Sequence, residues 1–156
     1  MSTTRDVVSV ERVISASAEA IFEVIADPRR HCEFDGSGTV RQARPGAPCR
    51  LSEGATFGMD MHRGMGYGMV STVTEFDEGR CIAWAPKPAN GHGARFFGRI
   101  WRYELEPVDG GTRVRETWDI SQEGLRLLIR LLAASRTRRD MTKSLERLEG
   151  LVTTGP

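Results

Sequence analysis

The stretch "WRYELEPVDGGTRVRETWD", residues 101–119, constrains the fold more than any other part of the chain. Asp109 to Gly111 supply a tight turn, and the flanking residues alternate with the two-residue period of β-strands, so the stretch reads as a hairpin. The loop can be Asp-Gly or Gly-Gly, and either choice pairs odd positions of the first strand with even positions of the second. One face then carries Phe97, Arg99, Trp101, Tyr103, Leu105, Val114, Glu116, Trp118 and Ile120. The other carries Arg102, Glu104, Glu106, Arg113, Arg115, Thr117 and Asp119. The aromatic face must be the buried one, because a one-residue slip would turn every ring on it to water. Arg99 and Glu116 share that face, and a core excludes charges unless they are paired or wet. The pattern predicts a buried, partly polar wall on which Arg99 and Glu116 interact directly or through water.

The rest of the chain supplies more strands of the same kind. "VVSVERVIS" (7–15) is rich in β-branched residues, and "GTVRQAR", "ATFGMDMHRG", "GYGMVSTVTEFDEG", "RCIAWAPKP" and "ARFFGRIWRYELEPV" follow, separated by Gly, Pro and Asp. Together with "GTRVRETWDIS" they predict an antiparallel sheet rather than βαβ units. In "GMVSTVTEF", Val73 and the Thr72/Thr74/Phe76 set point opposite ways, which predicts a bulge and leaves open which face of residues 65–77 looks inward. Two short helices follow the first strand: Ser17 caps "AEAIFEVIA", and Asp27 before Pro28 opens a second helix running to about Glu33. In the last third, Leu125, Leu128, Ile129 and Leu132 fall in one helical sector, and Met141, Leu145, Leu148 and Val152 about 180° away. One straight helix cannot bury both stripes against a single sheet, so a break between about Ala133 and Thr137 is expected.

Composition narrows the function classes. A chain of 156 residues, 39% hydrophobic, suits a single domain over 1–156. Its net charge of +1 offers no field for nucleic acid. The start "MSTTRDVVSVERV" lacks the order of a signal peptide, and no apolar run nears the roughly 18 residues of a membrane span, so a cytoplasmic protein without integral membrane association is expected. Cys32, Cys49 and Cys81 are odd in number and widely spaced, which fits reduced thiols better than disulfides or zinc.

A sheet of this make-up closed by a long final helix resembles the START-like, helix-grip superfamily, and within it the polyketide cyclase/dehydrase-like group of small bacterial proteins. The resemblance is carried by "ERVISASAEAIFEVIADPRRH", "DGSGTV", "FGRIWRYELEPVDGGTRVRETWD" and "MTKSLERLEGLV". It implies an α+β fold in which a seven-stranded antiparallel sheet wraps a long C-terminal helix, and a cavity between them for an apolar or amphipathic ligand. Charged residues on the gripped face suit such a cavity.

Candidate site residues are weighed against that cavity. Trp101, Tyr103 and Trp118 from the hairpin, Trp84, Met59 and Met61 from neighbouring strands and Met141 from the final helix are expected ligand contacts, with Arg99 and Glu116 as polar groups. "HCEFD" (31–35) gathers His31, Cys32, Glu33 and Asp35, but neighbours on one short helix cannot complete a metal site without distant partners. The segment fits better as the lip of the cavity, with His31 at its mouth. HExxH and GxSxG are absent, and neither "GSGTVR" nor "GMGYGM" has phosphate-loop spacing. Asp60 and His62 share a strand face with no recognisable nucleophile. Gly64, Gly66 and Gly68 bare one strand face, for a flexible edge or the close approach of another group. No metal or cofactor is implied. The function expected is binding of a hydrophobic or aromatic small molecule, lipid-like or polyketide-like, by a monomer or homodimer. The alternative is a cyclase or dehydratase in which Glu116, tuned by burial and by Arg99, moves a proton while Tyr103 orients a carbonyl. A protein-interaction role, known among helix-grip relatives, would need no pocket.

Overall fold

The computed structural model describes residues 4–154. β1 (Val7–Ile14) leads into α1 (Ala18–Ala26), a 3-10 turn at Pro28–Arg30 and α2 (His31–Phe34). Then come β2 (Val40–Ala43), β3 (Thr56–Arg63), β4 (Met65–Asp77), β5 (Cys81–Pro88), β6 (Ile100–Val108), β7 (Gly111–Asp119) and α3 (Arg126–Thr153). The strands form one antiparallel sheet in the order β1-β7-β6-β5-β4-β3-β2. The chain thus crosses from one edge to the other through α1 and α2, and the sheet curls around α3 as an α+β helix-grip fold.

Local chemistry accounts for these elements. Ser17 caps α1 by accepting the Ala20 N–H at 3.1 Å, and the helix buries Ile21, Phe22 and Ile25 under the sheet. Asp27 accepts the Arg29 N–H at 3.0 Å and starts the second helical segment with Pro28 in its first turn. The hairpin uses its Asp-Gly loop: Val108 faces Gly111, and the pairs Leu105 with Val114, Tyr103 with Glu116 and Trp101 with Trp118 follow. Gly110 lies at φ +85°, a backbone region that L side chains avoid, which is why a glycine closes this turn. The register of β4 against β5 shifts between Val73 and Glu75, where the sequence pattern changes face.

Two expectations are corrected. The strand expected from Ala94 begins only at Ile100, because Ala94–Phe96 is a 3-10 turn. This segment is pinned to the loop before α3: Gly124 N–H donates to Phe96 O at 3.0 Å, and a Cβ on Gly98 would sit 2.1 Å from Gln122 O. The second correction concerns the final helix, which has no break near 133–137 and runs without interruption over Arg126–Thr153. Its leucine-rich stripe is not buried, so nothing forces the helix to bend. Leu131 and Leu132 are 78% and 76% exposed, and the inward face is instead the half-buried Ile129, Ala133 and Ala134 followed by the buried Met141, Ser144, Leu145 and Leu148. No helix among the described residues is long and apolar enough to cross a membrane.

Candidate functional site

Beneath α3 the curled sheet leaves a cavity of about 890 Å³. Its sheet wall is built by parity. Odd positions of β6 and even positions of β7 point inward, so Trp101, Tyr103, Glu116 and Trp118 stand side by side, and β5 adds Trp84 opposite Trp101. Tyr103 stacks on Trp84 with centroids 5.7 Å apart, and Trp84 stacks on His31 at 5.0 Å. Phe34 and Phe57 meet the His31 ring edge-on, each at 5.5 Å. Met59 and Met61 of β3 and Met141 of α3 complete the apolar lining. Exposed cavity residues, among them Arg63, Met65, Tyr67 and Arg136, mark the open end between the β3–β4 hairpin and α3.

His31 is not at that mouth. It is 5% exposed, packed among Trp84, Phe34 and Phe57, and its Nε2 lies 2.8 Å from Ile25 O. Burial pushes the imidazole down to about 4, so it is neutral at physiological pH, and its ring serves as an aromatic wall. The "HCEFD" segment thus divides by helical geometry: His31 and Phe34, three apart, turn inward, while Cys32 and Glu33 face water. Asp35 ends the helix and accepts from Ser37 and from Val40 N–H. The next residue, Gly36, packs directly on α3: its N–H donates to Ser144 Oγ at 2.8 Å, and a Cβ there would lie 2.1 Å from Asp140 O.

Of the interaction expected between Arg99 and Glu116, the direct ion pair does not form. Arg99 lies just before β6, and its Nε donates to Glu123 Oε1 at 2.6 Å; Glu123 is 3% exposed. Sequence parity located Arg99 on the right face but said nothing of Glu123, which the loop before α3 brings back to it. Glu116 is instead left with Tyr103 across the strand and, among the described residues, with no cation paired to it. Burial pushes its carboxyl up to about 8, against the opposing influence of the Tyr103 hydroxyl and helped by the negative charge of Asp35. Burial likewise drives the Tyr103 hydroxyl well above its ordinary range. Two buried polar atoms of this wall, Glu116 Oε2 and Trp118 Nε1, have no hydrogen-bond partner among the described residues.

Asp60 and Gly68, singled out in the sequence, and several charged groups that were not, have structural work. Gly58 and Gly68 give room for the Arg44 side chain, whose Cδ and Nη1 would lie 2.9 and 3.1 Å from added Cβ atoms, and Arg44 pairs with Asp60 at 3.4 Å. Asp6 holds Arg130 at 3.0 Å and Arg126 at 3.5 Å, fastening the start of α3 to the start of β1. Phe34 and Phe57 were absent from the expected site. Phe57 alternates in phase with Met59 and Met61, so strand parity alone would have found it.

Comparison with known proteins agrees with this architecture. Residues 5–153 match the model of the family described as polyketide cyclase / dehydrase and lipid transport. The chain belongs to that family. The uncharacterized protein Rv0088 of Mycobacterium tuberculosis is 35% identical over 113 residues, which are 71% of this chain and 46% of that protein. The chain therefore spans about half the length of the curated relatives it matches. Among solved structures, protein CV1439 from Chromobacterium violaceum superposes with a TM-score of 0.72 at 15% identity, covering 96% of this chain and 99% of that one. The Aha1 dimer from Colwellia psychrerythraea gives 0.66 at 15% identity, covering 96% and 97%. Identities this low speak for the shared fold alone.

Proposed function

We propose that the protein binds a hydrophobic or aromatic small molecule, lipid-like or polyketide-like, in the cavity between the sheet and α3. The observation that carries this reading is the cavity itself. Its volume of about 890 Å³ lies in the usual range for small-molecule sites, and aromatic rings and methionines line it. Trp101, Tyr103, Trp118, Trp84, Met59, Met61, Met141 and the His31 ring are the contacts proposed for the ligand body, with Glu116 and Arg99 as its polar neighbours. On this reading residues 1–156 act as one binding unit in the cytoplasm. An apolar fluorescent probe titrated into the protein should bind saturably, and native mass spectrometry of freshly purified protein should detect a co-purifying small molecule. A protein that binds no apolar probe would favour the interaction-protein class.

One observation favours a second reading, the cyclase or dehydratase. A buried carboxyl pushed up to about 8 beside a tyrosine hydroxyl is poised to exchange a proton near neutral pH. Glu116 would then move the proton and Tyr103 orient the substrate carbonyl, without Arg99, which is engaged by Glu123. Glu116→Gln separates the two: an enzyme loses turnover with substrate affinity largely retained, whereas a binding protein changes only in affinity or ligand preference.

A further inference from the structure

Glu116 and Trp118 occupy alternate positions of β7, so both point from the same strand face into the cavity. They are 3% and 2% exposed, yet Glu116 Oε2 and Trp118 Nε1 lack any partner among the described residues. Buried polar groups are nearly always paired, and an orphaned one costs free energy that a complementary ligand recovers. Resting on the small-molecule reading above, we infer that the ligand carries an uncharged carbonyl-type oxygen at its buried end, accepting one hydrogen bond from the Trp118 indole N–H and one from the Glu116 carboxyl group.

The donor inventory selects this chemistry. An indole N–H can only donate, so whatever meets Trp118 must accept. A carbonyl oxygen has two lone pairs and satisfies Trp118 and a protonated Glu116 together. An ammonium head would suit an ionised Glu116 but would present a donor to the Trp118 donor. The charges facing Glu116 from the packed elements agree: Tyr103 lies opposite on β6, Asp35 follows α2, and α3 contributes Asp140 and Arg136 to the cavity. Of the other lining cations, Arg99 is engaged by Glu123, Arg44 pairs with Asp60, and Arg63 stands exposed at the open end. Burial pushes the Glu116 carboxyl up to about 8, and among the described residues no cation is paired with it, so at neutral pH the protonated group predominates and donates. An anionic ligand head at the buried end would instead face the negative charge of Asp35, which already acts on Glu116.

Three probes on one aromatic body test this by isothermal titration calorimetry at neutral pH: acetylnaphthalene, ethylnaphthalene and naphthylmethylammonium. The acetyl probe is expected to bind about tenfold more tightly than the ethyl probe, with no advantage for the ammonium. Trp118→Phe should narrow the acetyl-over-ethyl difference. Glu116→Gln, whose amide still donates, should keep that difference and abolish the loss of acetyl affinity that the unaltered protein shows as the pH passes about 8. Trp118→Phe removes one donor and Glu116→Gln removes the titration of the other, so misfolding of one leaves the other decisive. Equal affinity for the acetyl and ethyl probes, or tightest binding of the ammonium, overturns the inference while leaving the small-molecule reading intact. Failure of all three to bind overturns that reading and the inference with it.

Discussion

From Arg126 to Ser135, α3 turns Leu127, Leu128, Leu131 and Leu132 outward at 52–78% exposure, whereas from Met141 to Leu148 it buries Met141, Leu145 and Leu148 at 1% or less. The exposed half is richer in leucine than the buried half, so residue type alone does not decide burial. What differs is the opposing surface. The C-terminal half meets the end of α2, where Gly36 lets the two backbones touch, and the core gathered around Phe22 and Leu105. The N-terminal half is fastened at its flank by Asp6 to Arg126 and Arg130, and it packs inward through Ile129, Ala133 and Ala134 against Trp118 and Ile120. Its leucines look the other way. An apolar face of this kind on a folded protein is an uncommon arrangement.

The contrast can be broken most directly in the buried half. Leu148→Ala removes a fully buried side chain and should lower the unfolding free energy by about 2–5 kcal/mol in denaturant titrations; a neutral result would show that this half is not the sheet's partner. The continuity of the helix is tested by Ser135→Pro at the junction of the halves. In an uninterrupted helix proline there should cost about 3 kcal/mol or more, and tolerance of it would restore the break expected from the sequence.

A smaller, pH-dependent effect belongs to the cavity wall that both halves of α3 cover. Glu116 is pushed up to about 8 from 4.5, so between those values the native protein holds a proton that the unfolded chain has released, and stability falls as the pH rises. His31 is pushed down to about 4 from 6.5, so the unfolded chain binds the extra proton between those values and stability there rises with pH. The two slopes oppose each other up to pH 6.5, and above it Glu116 acts alone. Stability should decline by about 1–2 kcal/mol between pH 6.5 and 8, with the decline absent in Glu116→Gln. A flat profile across that window would mean that Glu116 is already ionised in the native state. The smallest change is expected on the exposed half. Leu131→Gln should shift stability by no more than about 0.5 kcal/mol, and a loss of several times that would place Leu131 in a contact that the folded chain does not display.

Strand parity carried the sequence reading furthest, because in a hairpin the inward face follows from counting once the turn is located. Trp101, Tyr103, Glu116 and Trp118 were legible as one wall for that reason, and Ser17 and Asp27 marked their helices because capping is a local hydrogen bond. The Arg99–Glu116 pairing failed because sharing a face does not fix distance. Glu123 lies beyond the hairpin, where counting along strands no longer applies, and it reaches Arg99 first. The break assigned near residue 135 failed for a related reason. It assumed that every apolar stripe must be buried, and the leucines of α3 are not.

What the amino-acid order determined was local: the strand period, the turn at Asp109-Gly110, the helix caps, and the pairing of aromatic with ionisable positions on one strand face. These depend on backbone geometry over a few residues, which neighbouring side chains specify. Only the tertiary structure decided that His31 lies inside an aromatic stack, that α3 is continuous with one leucine face bare, and that Glu116 is enclosed without a cation. Each of those depends on which distant surface arrives opposite a residue. Burial, and with it the protonation of Glu116 and His31, is a property of the assembled neighbourhood rather than of the side chain.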